Sequence, residues 1–372
     1  LTGRMESGYP ERLLLRMLET YSPSGSEGAI SRLLAEEMDR LGFRVRVDEV
    51  GNVEGKIGPA KSGKILLCGH MDTVEGRIEV RRRGKVVFGR GAVDAKSSLA
   101  AMIIAAKRYA EEGGEAEITL LAVVDEEGKS RGMRHYLAAN KGLNYDYAIF
   151  GEPSGACALT VGYKGRVVLK VTCRTPPGHA SAAPLFENSI YVAMRLIDKL
   201  RMVEGRLRAA CGPIPEIFEV PTFCVTLIRG GMADNTVPSS CEFVVDIRVP
   251  PSLAIPDLKR EVLSAVEGFR AGEKAEVELS LEDENEPFLA DVNSPLVRAF
   301  ERAVKEVCGK ECRLLKKTGT ADANDFARLR VPTVVYGPGN SRLDHTPMEN
   351  ISVEEFLKSI EVLVRVLKGV GG

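Results

Sequence analysis

Five separated places in this 372-residue sequence carry side chains that can ligate a metal ion or move a proton: His70 with Asp72, Asp94, Glu126 with Glu127, Glu152, and His345. The sequence has only four histidines, and two of them fall in this set. In ILLCGHMDTV an apolar run ends at His70, with Asp72 two residues on. Residues i and i+2 of an extended segment point to one side, so an imidazole and a carboxylate meet at one strand terminus. That is a usual placement for a metal-bound histidine and the carboxylate that orients it. Asp94 lies in the glycine-flanked turn of VVFGRGAVDAKSS, just before the helical pattern SSLAAMIIAAKRYAEE. Negative charge is favoured near a helix N-terminus.

Each feature has a plainer explanation. A lone His-x-Asp is more often a surface hydrogen-bonded pair. Adjacent acids such as Glu126 and Glu127 are by default a solvated turn, and Asp94 alone could cap a helix. The coincidence of all five argues against these explanations. Four of the five lie at predicted strand ends or in the loop that follows one, where α/β sheets bind ligands. Two imidazoles and this many carboxylates exceed what one zinc ion takes. A dinuclear site with metals about 3.5–4 Å apart and one bridging carboxylate uses the whole set. Mixed nitrogen and oxygen ligation suits zinc, with cobalt or manganese as substitutes in vitro.

The elements that must position these residues follow from periodicity. Residues from about Pro10 to Leu41 predict two helices broken at TYSPSGSEG, and FRVRVDEVGNVEGKIG alternates like a hairpin turning at Gly51 and Asn52. ILLCGHMDTV, ITLLAVVDEEGKS and YDYAIFGEPSG are buried strands that each end in chemistry-bearing residues. Strands alternating with helices predict an α/β fold: a mixed, mostly parallel sheet with helices on both faces. At GYKGRVVLKVTCRT the pattern becomes strictly alternating, as in an antiparallel strand with one open face. A helix, the strands FCVTLIRGG and CEFVVDIRVP, and the helix LKREVLSAVEGF follow. This predicts an inserted α+β domain over 164–275, between catalytic segments 1–163 and 276–372. Within the last segment SPLVRAFERAVKEV, VPTVVYGPG and SVEEFLKSIEVLVRVLKG restore α/β character, and the acidic run Glu282 to Glu286 is expected to be a solvated loop.

Lysine plus arginine and aspartate plus glutamate nearly balance, at a net charge of −1, which does not suggest nucleic acid or an anionic membrane as partner. No apolar run reaches the roughly 20 residues needed to span a bilayer, and no signal-peptide pattern is present, so a cytoplasmic location is expected. Arg81, Arg82 and Arg83 form the clearest basic run and are expected in a solvated turn, with an acidic partner as the alternative. Cys68, Cys173 and Cys224 lie in apolar, strand-like contexts that suit reduced, packed thiols. Tryptophan and glutamine are absent while charged residues are abundant, which fits a thermophilic source. In such a source a disulfide between Cys308 and Cys312 stays open.

The order GHMDTV, GRGAVDAK, DEEG, GEPSG and DHTPME resembles the dizinc metallopeptidases that include acetylornithine deacetylase, succinyl-diaminopimelate desuccinylase, aminoacylase and glutamate carboxypeptidases. The resemblance runs from about Leu13 to the C-terminal helix. It implies two zinc ions per subunit, with Asp94 bridging, His70 and Glu152 completing one site, and Glu127 and His345 the other. Asp72 would orient His70, Glu126 would be the general base, and a cis peptide would follow Asp94. The inserted domain would be a ferredoxin-like lid and dimerisation domain. His179 in PPGHASAAP would by itself be a structural turn histidine. The resemblance makes it instead a donor that reaches the active site of the neighbouring subunit in a homodimer and stabilises the tetrahedral oxyanion. Asn235, Arg248 and the segment from Gly319 and Thr320 to Asp322 would hold substrate. His135 fits no motif and is expected to be an exposed helix residue.

Within the family, GRGAVDAKSSLAAM, GEPSG followed by GYKGR, and KTGTADANDF with GPGNSRLDHTP look most like members that free lysine or ornithine from an amino-group carrier protein. The amino acid is amide-linked there through its α-amino group to the carrier's C-terminal glutamate side chain, and its α-carboxylate is free for Asn235 and Arg248. Such a carrier is acidic, and Arg81 to Arg83 would help it dock. A small-molecule deacylase or dipeptidase of the same family and a non-catalytic amino-acid-binding relative are the alternatives.

Overall fold

A computed structural model describes residues 8–213 and 215–372. Two compact units emerge: Leu1–Gly162 with Ala290–Lys316 and Ala321–Gly372, and Tyr163–Leu289 with Lys317–Thr320.

The larger unit is organised around the strand Lys64–His70, buried from Ile65 onward. It lies parallel to Glu117–Val123 on one side and to Tyr147–Phe150 on the other, with Leu67 opposite both Leu120 and Ile149. Thr333–Val335 continues the parallel run beside Tyr147–Phe150. Val53–Ile57 and Arg44–Val47 extend one flank, and Ala158–Tyr163 joins the other, all antiparallel. The sheet is therefore mixed with a parallel centre, and its central strands are continuous apolar runs because both faces are covered.

On one face Ile65, Leu67, Ile118, Leu120 and Ile149 join a core with Leu13 and Met17, Leu99 and Ile103, Phe300, and Phe356 and Leu363. These come from the helices Tyr9–Glu19, Lys96–Glu111, Pro295–Cys308 and Val353–Gly371. Lys96–Glu111 is buried around nearly its whole circumference, between the sheet and the terminal helix, so it shows no polar stripe. On the other face Phe150 meets Phe326 of the short helix Asp322–Phe326, with ring centroids 5.3 Å apart.

The basic run forms a strand, Arg81–Arg83, and not a turn. It pairs with Val86–Phe88, which pairs in turn with Asn350–Ser352. Arg81 stacks over Phe88 at 5.1 Å and Arg82 donates to Glu11 at 2.6 Å, so strand pairing and these partners override the solvated-turn expectation.

The smaller unit is an antiparallel sheet in the order Thr222–Gly230, Ser240–Val249, Gly165–Arg174, Glu276–Asn285. The helices Ser189–Ala209 and Ile255–Arg270 pack against one face, burying Val167, Leu169, Val171 and Cys173 at every second position. The chain order strand, helix, strand, strand, helix, strand with this pairing is the ferredoxin-like arrangement. The final strand lies beyond residue 275, where the sequence reading ended the insertion. It is an edge strand, mostly exposed, and its charge hid it: Asp283 accepts from Arg166 at 3.2 Å and Glu284 from Lys259 at 2.7 Å. Glu282 to Asn285 are thus paired strand, not free loop.

All eight cysteines, Cys308 and Cys312 included, are free thiols. Cys68 and Cys173 are buried as expected, whereas Cys224 is exposed on the edge strand Thr222–Gly230.

Candidate metal centre

His70 is the last residue of the central strand, and the strand beside it reaches Val123 in register. Because neighbouring strands run parallel, the loops carrying Glu126, Glu127 and Glu152 leave the sheet at the same edge. His70 Nδ1 lies 3.0 Å from the carbonyl oxygen of Asp72 and 3.4 Å from its Oδ1. Its Nε2 faces Asp94 Oδ1 at 3.1 Å and Glu152 Oε1 at 3.7 Å. The Asp72 carboxylate is fully buried and does more than face the imidazole. It accepts the backbone N–H of Glu126 and of Glu127, each at 3.1 Å, and the hydroxyl of Ser24 at 2.7 Å. One carboxylate therefore aims His70 and pins the loop that presents both glutamates.

Asp94 follows the turn before the helix Lys96–Glu111, and the Asp94–Ala95 peptide is cis. Its second oxygen, Oδ2, lies 3.1 Å from His345 Nε2, which is also 3.0 Å from Glu127 Oε1. Ligand atoms of His70, Glu126 and Glu152 come within 4.8 Å of one another, as do those of Asp94, Glu127 and His345. Each oxygen of Asp94 addresses a different histidine, which is what a carboxylate shared by two cations requires. The imidazole and carboxylate donor set fits zinc.

The titration behaviour follows from this crowding. Burial first, then the Glu152 carboxylate, push the Glu126 carboxyl well above the usual range. Burial also raises Glu127. At Asp94 burial opposes ionisation, but hydrogen bonds with His345 and His70 outweigh it and hold the carboxyl low. Hydrogen bonds to Asp94 and Glu127 raise His345 to about 10. Burial, followed by the nearby Asp325 carboxylate, raises Asp322 to about 7. Burial thus raises the proton affinity of Glu126 and Glu127, while the two histidines hold the Asp94 carboxyl low.

The remaining expected site residues, His179, Asn235, Arg248, Gly319 and Thr320, all belong to the smaller unit. His179 pairs with Thr236 in a two-residue antiparallel ladder, and Ala180 N–H donates to the Asn235 carbonyl at 2.9 Å, so His179 and Asn235 share a corner. His179 Nδ1 accepts the Ser181 N–H at 3.2 Å, which leaves Nε2 as the donor nitrogen of an exposed ring. Arg248 donates through Nε to Asp246 Oδ1 at 2.6 Å, and Arg166 to Asp246 Oδ2 at 2.7 Å, so two guanidinium groups share one carboxylate. His135 is half-buried, not exposed, with Asp48 and Glu49 oxygens each 3.8 Å away.

Sequence reasoning missed four supporting residues. Ser24 and Glu27 sit in the segment taken only as a turn, and Glu27 Oε1 accepts the Asp125 N–H at 3.1 Å. Arg90 and Glu349 form a buried ion pair at 2.8 Å. Glu349 lies inside the motif that carries His345, and that proximity was the only signal available.

A model of peptidase family M20/M25/M40 matches residues 66–369. The LysW-lysine/LysW-ornithine hydrolase of Saccharolobus solfataricus is 32% identical over 362 residues, covering 96% of this chain and 95% of that protein. The protein of the same name from Sulfurisphaera tokodaii is 33% identical over 363 residues, covering 96% and 94%. Among solved structures, an M20 family metallo-carboxypeptidase from Sulfolobus solfataricus superposes with a TM-score of 0.81 at 20% identity, over 99% of this chain and 100% of that one. A dinuclear metal-binding peptidase of Bacillus subtilis gives 0.74 at 14% identity, over 96% of each chain.

Proposed function

This chain belongs to peptidase family M20/M25/M40, and from that premise we propose that it is a metal-dependent amide hydrolase that releases lysine, ornithine or both from the C-terminal glutamate side chain of an amino-group carrier protein. The observation that carries the reaction type is Asp94, with one oxygen toward His70 and the other toward His345. The substrate is supported by the names of relatives that match nearly end to end.

In this reading His70, Asp94 and Glu152 would hold one zinc ion and Asp94, Glu127 and His345 the other, with cobalt as a possible substitute. Bound zinc would supply water acidified to a pKa of about 7. Glu126 is the proton carrier: it takes the water proton and returns it to the departing amine. Its burial, which raises its proton affinity, suits a group that must hold a proton between those two steps. Asp72 keeps His70 in its ligating tautomer and keeps the Glu126 loop in place.

His179, through Nε2–H, serves as donor to the developing oxyanion in the active site of the partner subunit of a homodimer. The edge strand Thr222–Gly230 exposes Leu227 and Ile228, and the helix Ser189–Ala209 exposes Tyr191, Met194 and Met202, an apolar surface suited to a second copy. Asn235 and Arg248, with Gly319 and Thr320, hold the α-carboxylate of the released amino acid. Arg248 would exchange part of its bond with Asp246 for that anion. The exposed strand Arg81–Arg83 docks the acidic carrier, and reversing its three charges is expected to weaken carrier affinity.

The test is release of free lysine and ornithine from the aminoacylated carrier by zinc-loaded enzyme, run beside N-acetylornithine and N-succinyl-diaminopimelate. Efficient release from the carrier with little turnover of the small amides is expected. Preference for the small amides would make the protein a general deacylase, and turnover of neither with metal bound would favour a binding protein.

A further inference from the structure

The buried pair Arg90–Glu349 has no place in the ligand set or in the proton transfers. Glu349 is fully buried and Arg90 is 7% exposed. Glu349 Oε1 accepts the N–H of Val93 at 2.8 Å and of Asp94 at 3.0 Å, while Oε2 takes Arg90 Nη1 at 2.8 Å. Arg90 Nη1 also donates to the carbonyl of Thr346 at 3.2 Å, and Nε donates to the carbonyl of Gly76 at 2.9 Å. Asp94 and His345 are 251 residues apart in the chain. One carboxylate and one guanidinium therefore tie the backbone that presents Asp94 to the backbone next to His345.

A buried ion pair is a poor device for stability, because desolvation of both charges consumes most of their attraction. What this pair does is geometric. The carboxylate satisfies two backbone donors at a turn where no strand or helix partner is available. The guanidinium reaches two carbonyls from other loops as well as Glu349. His70 needs no such help, since it ends a strand paired on both sides and is faced by Asp72.

We infer that Arg90 and Glu349 are positioning residues, a brace that sets the spacing between Asp94 and His345. The brace governs the cation held by Asp94, Glu127 and His345 far more than the cation held on the His70 side. This rests on the reading of Asp94 and His345 as ligands.

Zinc titration against a chromophoric chelator tests it, with metal stoichiometry and the melting temperature of the metal-free protein measured alongside. The parent titration examines the ligand set: two tight zinc ions are expected, and fewer would defeat that reading whatever the brace does. Arg90→Lys keeps the charge, but its single nitrogen stops about one bond short of Nη1 and cannot serve the Gly76 carbonyl together with Glu349 and Thr346. It is expected to melt near the parent temperature yet bind the second zinc about 10–100-fold more weakly, the usual cost of losing a group that orients a ligand. The first zinc should change by less than about threefold, well below that range. Arg90→Met and Glu349→Gln each leave one buried group unmatched and should lower the melting temperature. The double variant Arg90→Met/Glu349→Gln, with both charges gone, should regain much of it without regaining the second zinc. Parental zinc affinities in Arg90→Lys, or recovery of both zinc ions together with stability in the double variant, would overturn the brace and leave a merely structural pair.

Discussion

His70 and His345 face the same carboxylate from opposite structural situations. The His70 side chain is 1% exposed at the end of a buried strand, whereas that of His345 is 53% exposed on a loop with its backbone at φ 60°. His70 is placed by packing and by one buried carboxylate that also holds the Glu126 loop. His345 is placed by side chains that reach across from other loops. The difference teaches that one half of the centre is part of the core and the other is assembled on it. Loss of the histidine from the first should reach stability, and loss of the histidine from the second should fall mainly on the metal.

The largest expected effect concerns Glu126, on the buried side. Glu126→Gln should lower kcat about 10²–10⁴-fold, the range for a general base, with both metals retained. Loss of one metal in that variant would make Glu126 a ligand and redraw the division. Next come the two histidines. His70→Ala leaves Asp72 and Asp94 buried without their imidazole and should destabilise the metal-free fold by about 3–5 kcal/mol. His345→Ala should cost less than His70→Ala, because the imidazole it removes is half exposed although its partners Asp94 and Glu127 are largely buried. Equal shifts in thermal unfolding would break the comparison. A steric probe sharpens it further: a Cβ at Gly337 would lie 2.8 Å from the Glu152 carbonyl oxygen. Gly337→Ala should therefore cost about 1–3 kcal/mol by overpacking and disturb the His70 half first, read from denaturant unfolding and zinc titration.

The last effect is in pH. The free His345 is raised from 6.5 to about 10, so in the metal-free protein its ion pairs contribute stability that is complete below pH 6.5 and is lost as pH rises through 10. Zinc has to displace that proton. Its apparent affinity for the His345 half should rise about tenfold per pH unit between about pH 7 and 9, with proton release visible by calorimetry in two buffers. A flat profile would remove His345 from the ligand set.

The parallel centre of the sheet was legible because strands buried on both faces are continuous apolar runs. The ferredoxin-like strand order was legible only in part. Its fourth strand, Glu276–Asn285, is an edge with few buried positions, and its acids are satisfied by cross-strand and helix cations invisible in sequence. The Arg81–Arg83 strand was hidden for the same reason. At the metal centre the candidate ligands announced themselves by chemical type at strand ends. Ser24, Glu27, Arg90 and Glu349 did not, because each acts on a backbone group or a carboxylate brought near only by the fold. Cys224 and His135 show the converse limit: local pattern set neither exposure, since edge position decided one and Asp48 and Glu49 the other.

The central claim is that Asp94 is shared by two cations. Electron paramagnetic resonance of the manganese-loaded protein, titrated from one to two equivalents, tests it most directly. The account predicts a mononuclear signal that gives way to that of a spin-coupled pair about 3.5–4 Å apart. Two manganese ions that bind without coupling, or a titration that stops at one, would contradict it.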